Sequence, residues 1–104
     1  MKTNVQQFYS IDQIKEQNMS LVIVADERFI DEDYSLFEDE AVNVDVNLQI
    51  EVENHPEYGK SVKSVKVKFL NAYDNEECED LYLNSLEKRE IENYLKENLI
   101  IKIQ

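Results

Sequence analysis

Apolar and polar side chains alternate without a break from residue 42 to residue 53. The apolar positions of this stretch are Val42, Val44, Val46, Leu48, Ile50 and Val52. Successive side chains of a strand point to opposite faces, so the pattern predicts a long strand with one apolar and one polar side. A second stretch rich in valine follows a short polar segment. The two stretches together predict a long hairpin of strands 41–53 and 62–73.

The turn of this hairpin is predicted within residues 54–60, where Gly59 supplies a positive φ. Val62 is out of phase with Val65, which predicts a bulge near Lys63 and Ser64. The predicted register pairs Ile50 with Val65, Leu48 with Val67, Val46 with Phe69 and Val42 with Tyr73 on the core face, and Gln49 with Lys66 and Asn47 with Lys68 on the outer face.

Four further elements complete the predicted fold. Ser10 and Gln13 form a capping-box pattern, which predicts a short N-terminal helix over residues 10–18. The apolar run of residues 19–25 predicts a strand that is covered on both faces and is therefore central in the sheet. Asn84, with Glu87 three residues later, predicts a C-terminal helix over residues 84–98, and residues 99–103 predict a last strand. The order indicates a single α+β domain with a mostly antiparallel sheet of about four strands.

Two acidic stretches flank the hairpin. Residues 26–40 contain eight Asp and Glu side chains and one arginine, interleaved with Phe29, Ile30, Tyr34, Leu36 and Phe37. These large side chains either anchor the segment on the core, which we favour, or wait for a partner. The second stretch, residues 74–80, leaves the hairpin at the end away from its turn, where the first stretch enters. We therefore expect the two acidic stretches to lie side by side.

The charge of the chain limits its partners. There are 23 Asp and Glu against 11 Lys and Arg, for a formal net charge of −12 at pH 7. Binding to a phosphate backbone needs a Lys/Arg surface that displaces counterions, so direct nucleic-acid binding is disfavoured. A positively charged partner, by contrast, is attracted over the Debye length of about 8 Å at physiological salt. The alternative is that the charge serves only solubility.

Few residues are suited to catalysis. His55 precedes Pro56 and is expected to be an exposed turn residue, and Cys78 lies between two glutamates that disfavour its thiolate. A single glycine excludes a Gly-rich phosphate loop, a dinucleotide fingerprint and a nucleophile elbow. EF-hand loops that start at Asp31 or Asp74 lack the required glycine. We therefore expect a protein without enzymatic activity, cofactor or metal.

The same features indicate a compartment. Cys78 is the only cysteine, so no intrachain disulfide is available and the chain suits a reducing environment. The first seven residues lack the apolar core of a signal peptide, and no apolar run approaches the about 20 residues that span a bilayer. A cytoplasmic protein is expected, in the host cytoplasm if a phage encodes it.

A resemblance to known proteins rests on a hairpin followed by an acidic helix and on three acidic runs, Asp31-Glu32-Asp33, Glu38-Asp39-Glu40 and residues 76–80. The chain resembles the small acidic inhibitors encoded by phages and mobile elements, which include anti-CRISPR and anti-restriction proteins, several of them DNA mimics. The resemblance implies binding to a basic nucleic-acid-binding protein, such as a CRISPR effector or a restriction enzyme. Residues 60–68, with four lysines, depart from a uniformly acidic mimic.

The leading hypothesis is therefore a non-enzymatic inhibitor that blocks such a protein through an acidic surface. Tyrosines anchor many interfaces, and Tyr34, Tyr73 and Tyr82 lie near these acids. The predicted partner-binding residues are Asp31, Glu32, Asp33, Tyr34, Glu38, Asp39, Glu40, Asp74, Glu76, Glu77, Glu79 and Asp80. The alternatives are an immunity protein or antitoxin that neutralises a cognate toxin, and an accessory protein whose charge only solubilises it.

Overall fold

The computed structural model describes residues 10–104, and within them two helices and six strands follow one another along the chain. The predicted α+β class, the long hairpin and both helices are confirmed. In chain order the elements are α1 (Ser10–Lys15), β1 (Ser20–Ile23), β2 (Phe29–Leu36), β3 (Val42–His55), β4 (Gly59–Asp74), β5 (Glu79–Leu81), α2 (Ser85–Asn98) and β6 (Ile100–Ile103). Residues 1–7, from which the absence of a signal peptide is predicted, lie outside the described part of the chain, and so does the side chain of Ser10 on which the predicted cap depends.

The main sheet has the strand order β2-β3-β4-β5 and is antiparallel throughout. Its central hairpin has the predicted register over most of its length, with Ile50 opposite Val65 and Leu48 opposite Val67. The predicted bulge is confirmed, because Glu51 pairs with Ser64 and Val52 with Val62, which leaves Lys63 between them without an opposite residue. The bulge keeps the valines on both sides of it on one face of the sheet.

A second bulge corrects the predicted pairing of Val42 with Tyr73. Asp45 pairs with Asn71 and Val46 with Phe69, so Leu70 is the extra residue on β4. From that point the register is shifted by one, and Val42 lies opposite Asp74. The physical reason is that Phe69 and Ala72 are both buried although three positions separate them, which a regular strand does not allow.

The prediction that residues 19–25 form a central strand is wrong. Strand β1 pairs only with β6, in parallel, as a separate two-stranded sheet. Ile23 is buried, but Val22 is 54% exposed and Val24 is 74% exposed. Both ladder edges of β3 are already taken by β2 and β4, so β1 packs its Leu21 and Ile23 face onto the core and leaves the other face open.

Part of the acidic segment 26–40 is itself a strand, β2, which the alternation in the sequence did not predict. Ile30 and Leu36 are buried, and Tyr34 and Phe37 pack partly buried against the core. The predicted anchoring of this segment is therefore confirmed for these four residues. Phe29 differs, since 67% of its surface is exposed.

The core lies on one face of the main sheet. The even-numbered residues of β3 are all buried from Val42 to Val52, and Ile14 of α1 and Ile91 and Leu95 of α2 belong to the same cluster. The other face of the sheet is polar and accessible. We call it the outer face; it carries the odd-numbered residues of β3 and their cross-strand neighbours.

Both helices are fixed by polar contacts at their ends. The predicted capping box of α2 is confirmed, since Asn84 Oδ1 accepts from the Glu87 amide at 2.8 Å and Glu87 Oε1 accepts from the Asn84 amide at 3.0 Å. Helix α1 ends at Lys15, earlier than the predicted residue 18, in a tight turn where the Gln17 amide donates to the Ile14 carbonyl at 3.0 Å. This turn directs the Gln17 side chain to the start of β3, where Nε2 donates to the Val42 carbonyl and Oε1 accepts from the Val42 amide, both at 2.9 Å.

Candidate interaction surface

The two acidic stretches meet at one end of the hairpin, as predicted, and Asn75 joins them. Its backbone N–H donates to the Ala41 carbonyl at 2.9 Å, and its Nδ2 donates to the Glu40 carbonyl at 2.7 Å and to the Glu38 carbonyl at 3.3 Å. The turn after β2 is therefore bonded directly to the turn after β4. We call the surface formed by these turns the acidic end; its carboxylates are Glu38, Asp39, Glu40, Asp74, Glu76, Glu77, Glu79 and Asp80.

Backbone geometry holds most of these carboxylates outward. Asp74 Oδ1 accepts from the amides of Glu76 and Glu77 at 2.9 and 3.1 Å, which closes the second turn. Phe37 and Cys78 have positive φ values of 65° and 56°, which sharpen the two turns without glycine. As a result Asp74 and Glu40 are partly buried, whereas the other carboxylates of the acidic end are exposed.

One carboxylate of the acidic end also has a structural contact. Glu40 Oε2 accepts from the backbone N–H of Asn18 at 2.9 Å, which ties the segment after α1 to the same surface. In the described residues 10–104 the only ion pair within 4 Å joins Lys63 and Glu51 at 3.7 Å, far along the hairpin. The carboxylates of the acidic end thus have no ion-pair partner within that part of the chain.

The predicted acids Asp31, Glu32 and Asp33 lie elsewhere, on β2, and the pleat of the strand separates them. Asp31 and Asp33 are on the outer face beside Gln49 and Asn47, whereas Glu32 is opposite Leu48 and belongs to the other face. Asn47 Nδ2 donates to Asp31 at 2.9 Å and to Asp33 at 3.0 Å. A run of three acids in the sequence therefore becomes an amide-linked pair on one face and a single acid on the other.

Two neighbouring rows of the outer face carry both signs of charge. Across the strands, Asp31, Gln49 and Lys66 form one row, and Asp33, Asn47 and Lys68 form the next, listed here from β2 to β4. The predicted pairings of Gln49 with Lys66 and of Asn47 with Lys68 are confirmed. In these two rows the acids on β2 and the lysines on β4 are thus separated by the neutral amides Gln49 and Asn47 on β3.

The tyrosines near the acids differ in exposure. Tyr34, the tyrosine among the predicted binding residues, is partly buried against the core, and Tyr73 is partly buried beside Asn43 on the outer face. Tyr82, by contrast, is 90% exposed just after β5. Of the three, Tyr82 presents the largest free aromatic surface to a partner.

The environment of Tyr34 gives a pH-dependent prediction. Burial raises the pKa of its phenol above the usual value of 10.0, and the Glu32 carboxylate adds to the rise. We expect Glu32→Gln to lower the pKa of Tyr34 while leaving it above 10.0, because the burial remains. The unfolded chain ionises first, so the free energy of unfolding should fall as the pH rises above 10. Phenolate absorbance, with Tyr34→Phe to identify the signal, measures the pKa of Tyr34. An unchanged pKa in Glu32→Gln would contradict the role given to the Glu32 carboxylate.

The residues considered for catalysis are apart from one another. His55 is exposed at the tip of the hairpin with its ring 5.5 Å from that of Tyr58, and Cys78 is exposed at the acidic end. Within residues 10–104 no group of three or more His, Cys, Asp or Glu side chains is arranged to hold a metal ion. None of the helices in that range is long and apolar enough to cross a membrane.

Sequence reasoning missed two residues that build this surface. Asn75 joins the two acidic turns through its side chain, and Gln17 positions the start of β3 beside them. Neither stands in a local pattern, although an Asn inside an acidic run is a common turn residue and was a usable signal.

Comparison with protein-family models, with curated proteins and with solved structures finds no match for this chain. The fold is of the α+β class, with one covered sheet face, one open sheet face and an acidic end.

Proposed function

We propose that this protein is a non-enzymatic inhibitor that binds a basic nucleic-acid-binding protein through its acidic end. The observation that carries the proposal is the joining of two acidic turns by Asn75, which gathers carboxylates from residues 38–40 and 74–80 on one surface. Carboxylates so placed attract a cationic groove from a distance and occupy the positions that phosphates take in it. The partner class is that of CRISPR effectors and restriction enzymes, and the place of action is the cytoplasm.

The arrangement supports binding rather than mere solubility for an electrostatic reason. A protein that needs charge only for solubility gains most from signs that are mixed over its surface. Here like charges are held next to one another at the acidic end without ion-pair partners among residues 10–104, which costs stability through self-repulsion. A cationic partner relieves that repulsion when it binds.

Capture from a bacterial lysate on the immobilised protein tests the proposal. At low salt we expect enrichment of nucleic-acid-binding proteins, their release as the salt concentration is raised, and their displacement by duplex DNA. An immobilised acidic protein of similar net charge but unrelated fold is the control for simple ion exchange. A captured protein that resists both salt and DNA would contradict the proposal.

The second candidate is an immunity protein or antitoxin. The observation in its favour is the outer face, where Asp31 and Asp33 on β2 lie across the two amides of β3 from Lys66 and Lys68 on β4. A surface with both signs at fixed positions suits one partner with the complementary pattern better than it suits a groove for nucleic acid. Rescue of cells from one particular toxin on co-expression, together with salt-resistant capture of that toxin, would favour this candidate.

A further inference from the structure

Strand β2 forms an open edge of the main sheet. It is eight residues long and pairs on one side only, with β3, in a register that has no shift from Phe29 to Leu36. At the opposite edge, the three-residue β5 pairs only with residues 72–74 of β4, and the remainder of β4 carries four lysines and two bulges. Proteins blunt long edges with prolines, lysines, bulges or covering loops. Strand β2 has no proline, lysine or bulge, so only its acidic side chains protect this edge from pairing with another strand.

The free backbone groups of this edge can be assigned residue by residue. The Val52 amide donates to the Arg28 carbonyl at 2.7 Å, so Arg28 turns its backbone groups toward β3. In an antiparallel ladder this direction alternates, and the residues that turn their N–H and C=O groups outward are therefore Phe29, Asp31, Asp33 and Ser35. Within residues 10–104 no other backbone group bonds to them. The edge therefore presents a row of unpaired N–H and C=O groups that an additional strand can bond to.

The charge of the edge selects what can pair with it. In a pairing of β2 with β2 of a second copy, Asp31, Glu32 and Asp33 would face the same acids, and like charges directly opposite are destabilising. A groove of about 300 Å³ also lies beside the first half of β2, and Asp26, Glu27, Asp31 and Glu32 are among the residues that line it. These carboxylates oppose self-association and complement a cationic segment.

We propose that the open edge of β2 receives an extended Lys/Arg-rich segment of the partner as an added strand. The inference rests on the proposed function and specifies the shape of what is bound. Side chains opposite each other across a strand pair share a face. Basic residues of the segment therefore meet Asp31 and Asp33 on the outer face and Glu32 on the other face. An apolar residue farther along meets the exposed ring of Phe29.

Synthetic peptides separate strand pairing from simple charge attraction. The probe is a labelled peptide of about eight residues, matched to β2, in which lysine alternates with threonine. The control has the same lysines alternating with proline, which cannot form the ladder bonds. We expect the threonine peptide to bind about tenfold more tightly in fluorescence anisotropy at equal salt, because main-chain hydrogen bonds supply affinity in this mode.

Hydrogen exchange locates the peptide on the protein. With the threonine peptide bound, exchange of the amides of Asp31, Asp33 and Ser35 should slow about tenfold, whereas those of Ile30 and Glu32, already turned toward β3, should not change. A variant pair adds a second measurement: Asp33→Pro should lose the tighter binding that Asp33→Thr keeps. Both lose one charge, and the proline removes an N–H that faces solvent, which an edge strand tolerates.

Each result distinguishes this inference from the proposed function. Equal affinity for the two peptides, with unchanged exchange at Asp31 and Asp33, overturns the added strand and leaves inhibition through the acidic end intact. A dimer without peptide, in which the same amides are protected, overturns the basic segment in favour of a second copy. Tight binding of the threonine peptide together with loss of all lysate capture supports the edge and overturns the proposed function alone.

Discussion

Replacing Gln17 with alanine is expected to lower the free energy of unfolding by about 2–6 kcal/mol. Gln17 is only 8% exposed, and it is the one buried polar side chain in the described part of the chain. Its amide satisfies both the N–H and the C=O of Val42, a residue that is itself 2% exposed. Each of these groups costs about 1–3 kcal/mol if left buried without a partner. The whole free energy of unfolding of a domain of this size is about 5–15 kcal/mol.

Urea denaturation followed by circular dichroism measures the effect, and Gln13→Ala is the matched control. Gln13 is exposed on α1, in the turn of the helix before Gln17, so its loss should change the free energy of unfolding by less than about 0.5 kcal/mol. Gln17→Glu should also destabilise the protein, because the carboxylate accepts from the Val42 amide but cannot donate to its carbonyl. Equal, small effects of Gln17→Ala and Gln13→Ala would mean that water replaces the side chain at β3.

Reversing two charges at the acidic end is expected to weaken binding to the basic partner by about thirtyfold to a thousandfold. The change is Glu76→Lys with Glu77→Lys, two exposed side chains whose amides bond to Asp74 and keep the turn closed. A like charge set against a cationic groove costs about 2–4 kcal/mol for such a pair, which gives that range of affinities. Surface plasmon resonance against the captured partner, at two salt concentrations, measures it.

The control places the same reversal at the opposite end of the hairpin. Glu53→Lys with Glu57→Lys changes the net charge equally, and both residues are exposed near the hairpin turn. We expect this variant to keep its affinity within about threefold, since the tip lies outside the acidic end and screening limits its reach to about 8 Å. If both double variants weaken binding equally, net charge alone governs association and the acidic end is not the binding surface.

The hairpin was predictable because its information is local. Alternation along β3 depends on neighbouring residues only, and it determines which side chains face the core. The same pattern located the bulge at Lys63, since valines on either side of it must stay on one face. The capping box of α2 is also local, three residues apart in the sequence. The second bulge, at Leu70, was missed because Phe69, Leu70 and Ala72 leave two phases open.

Strand β2 was hidden for the opposite reason. Consecutive acids at positions 31–33 place charge on both faces of the strand, so no alternation is visible between Ile30 and Tyr34. The backbone pairs there because β3 offers a free ladder edge and because Ile30 and Leu36 are buried on its inner face. The apolar run at β1 misled in the other direction, since apolarity alone does not tell which ladder edge a strand occupies.

The candidate surface, too, was predictable only in the parts that depend on local sequence. By itself the sequence determined the acidic character of the chain, the hairpin, and hence the meeting of residues 38–40 with 74–80, because a hairpin returns the chain to its starting end. Only the tertiary structure decided that Asn75 joins the two turns, that Gln17 anchors β3, and that Asp31 and Asp33 form a pair on an open sheet edge. These features depend on hydrogen bonds between residues far apart in the chain, whose partners no local period of the sequence specifies.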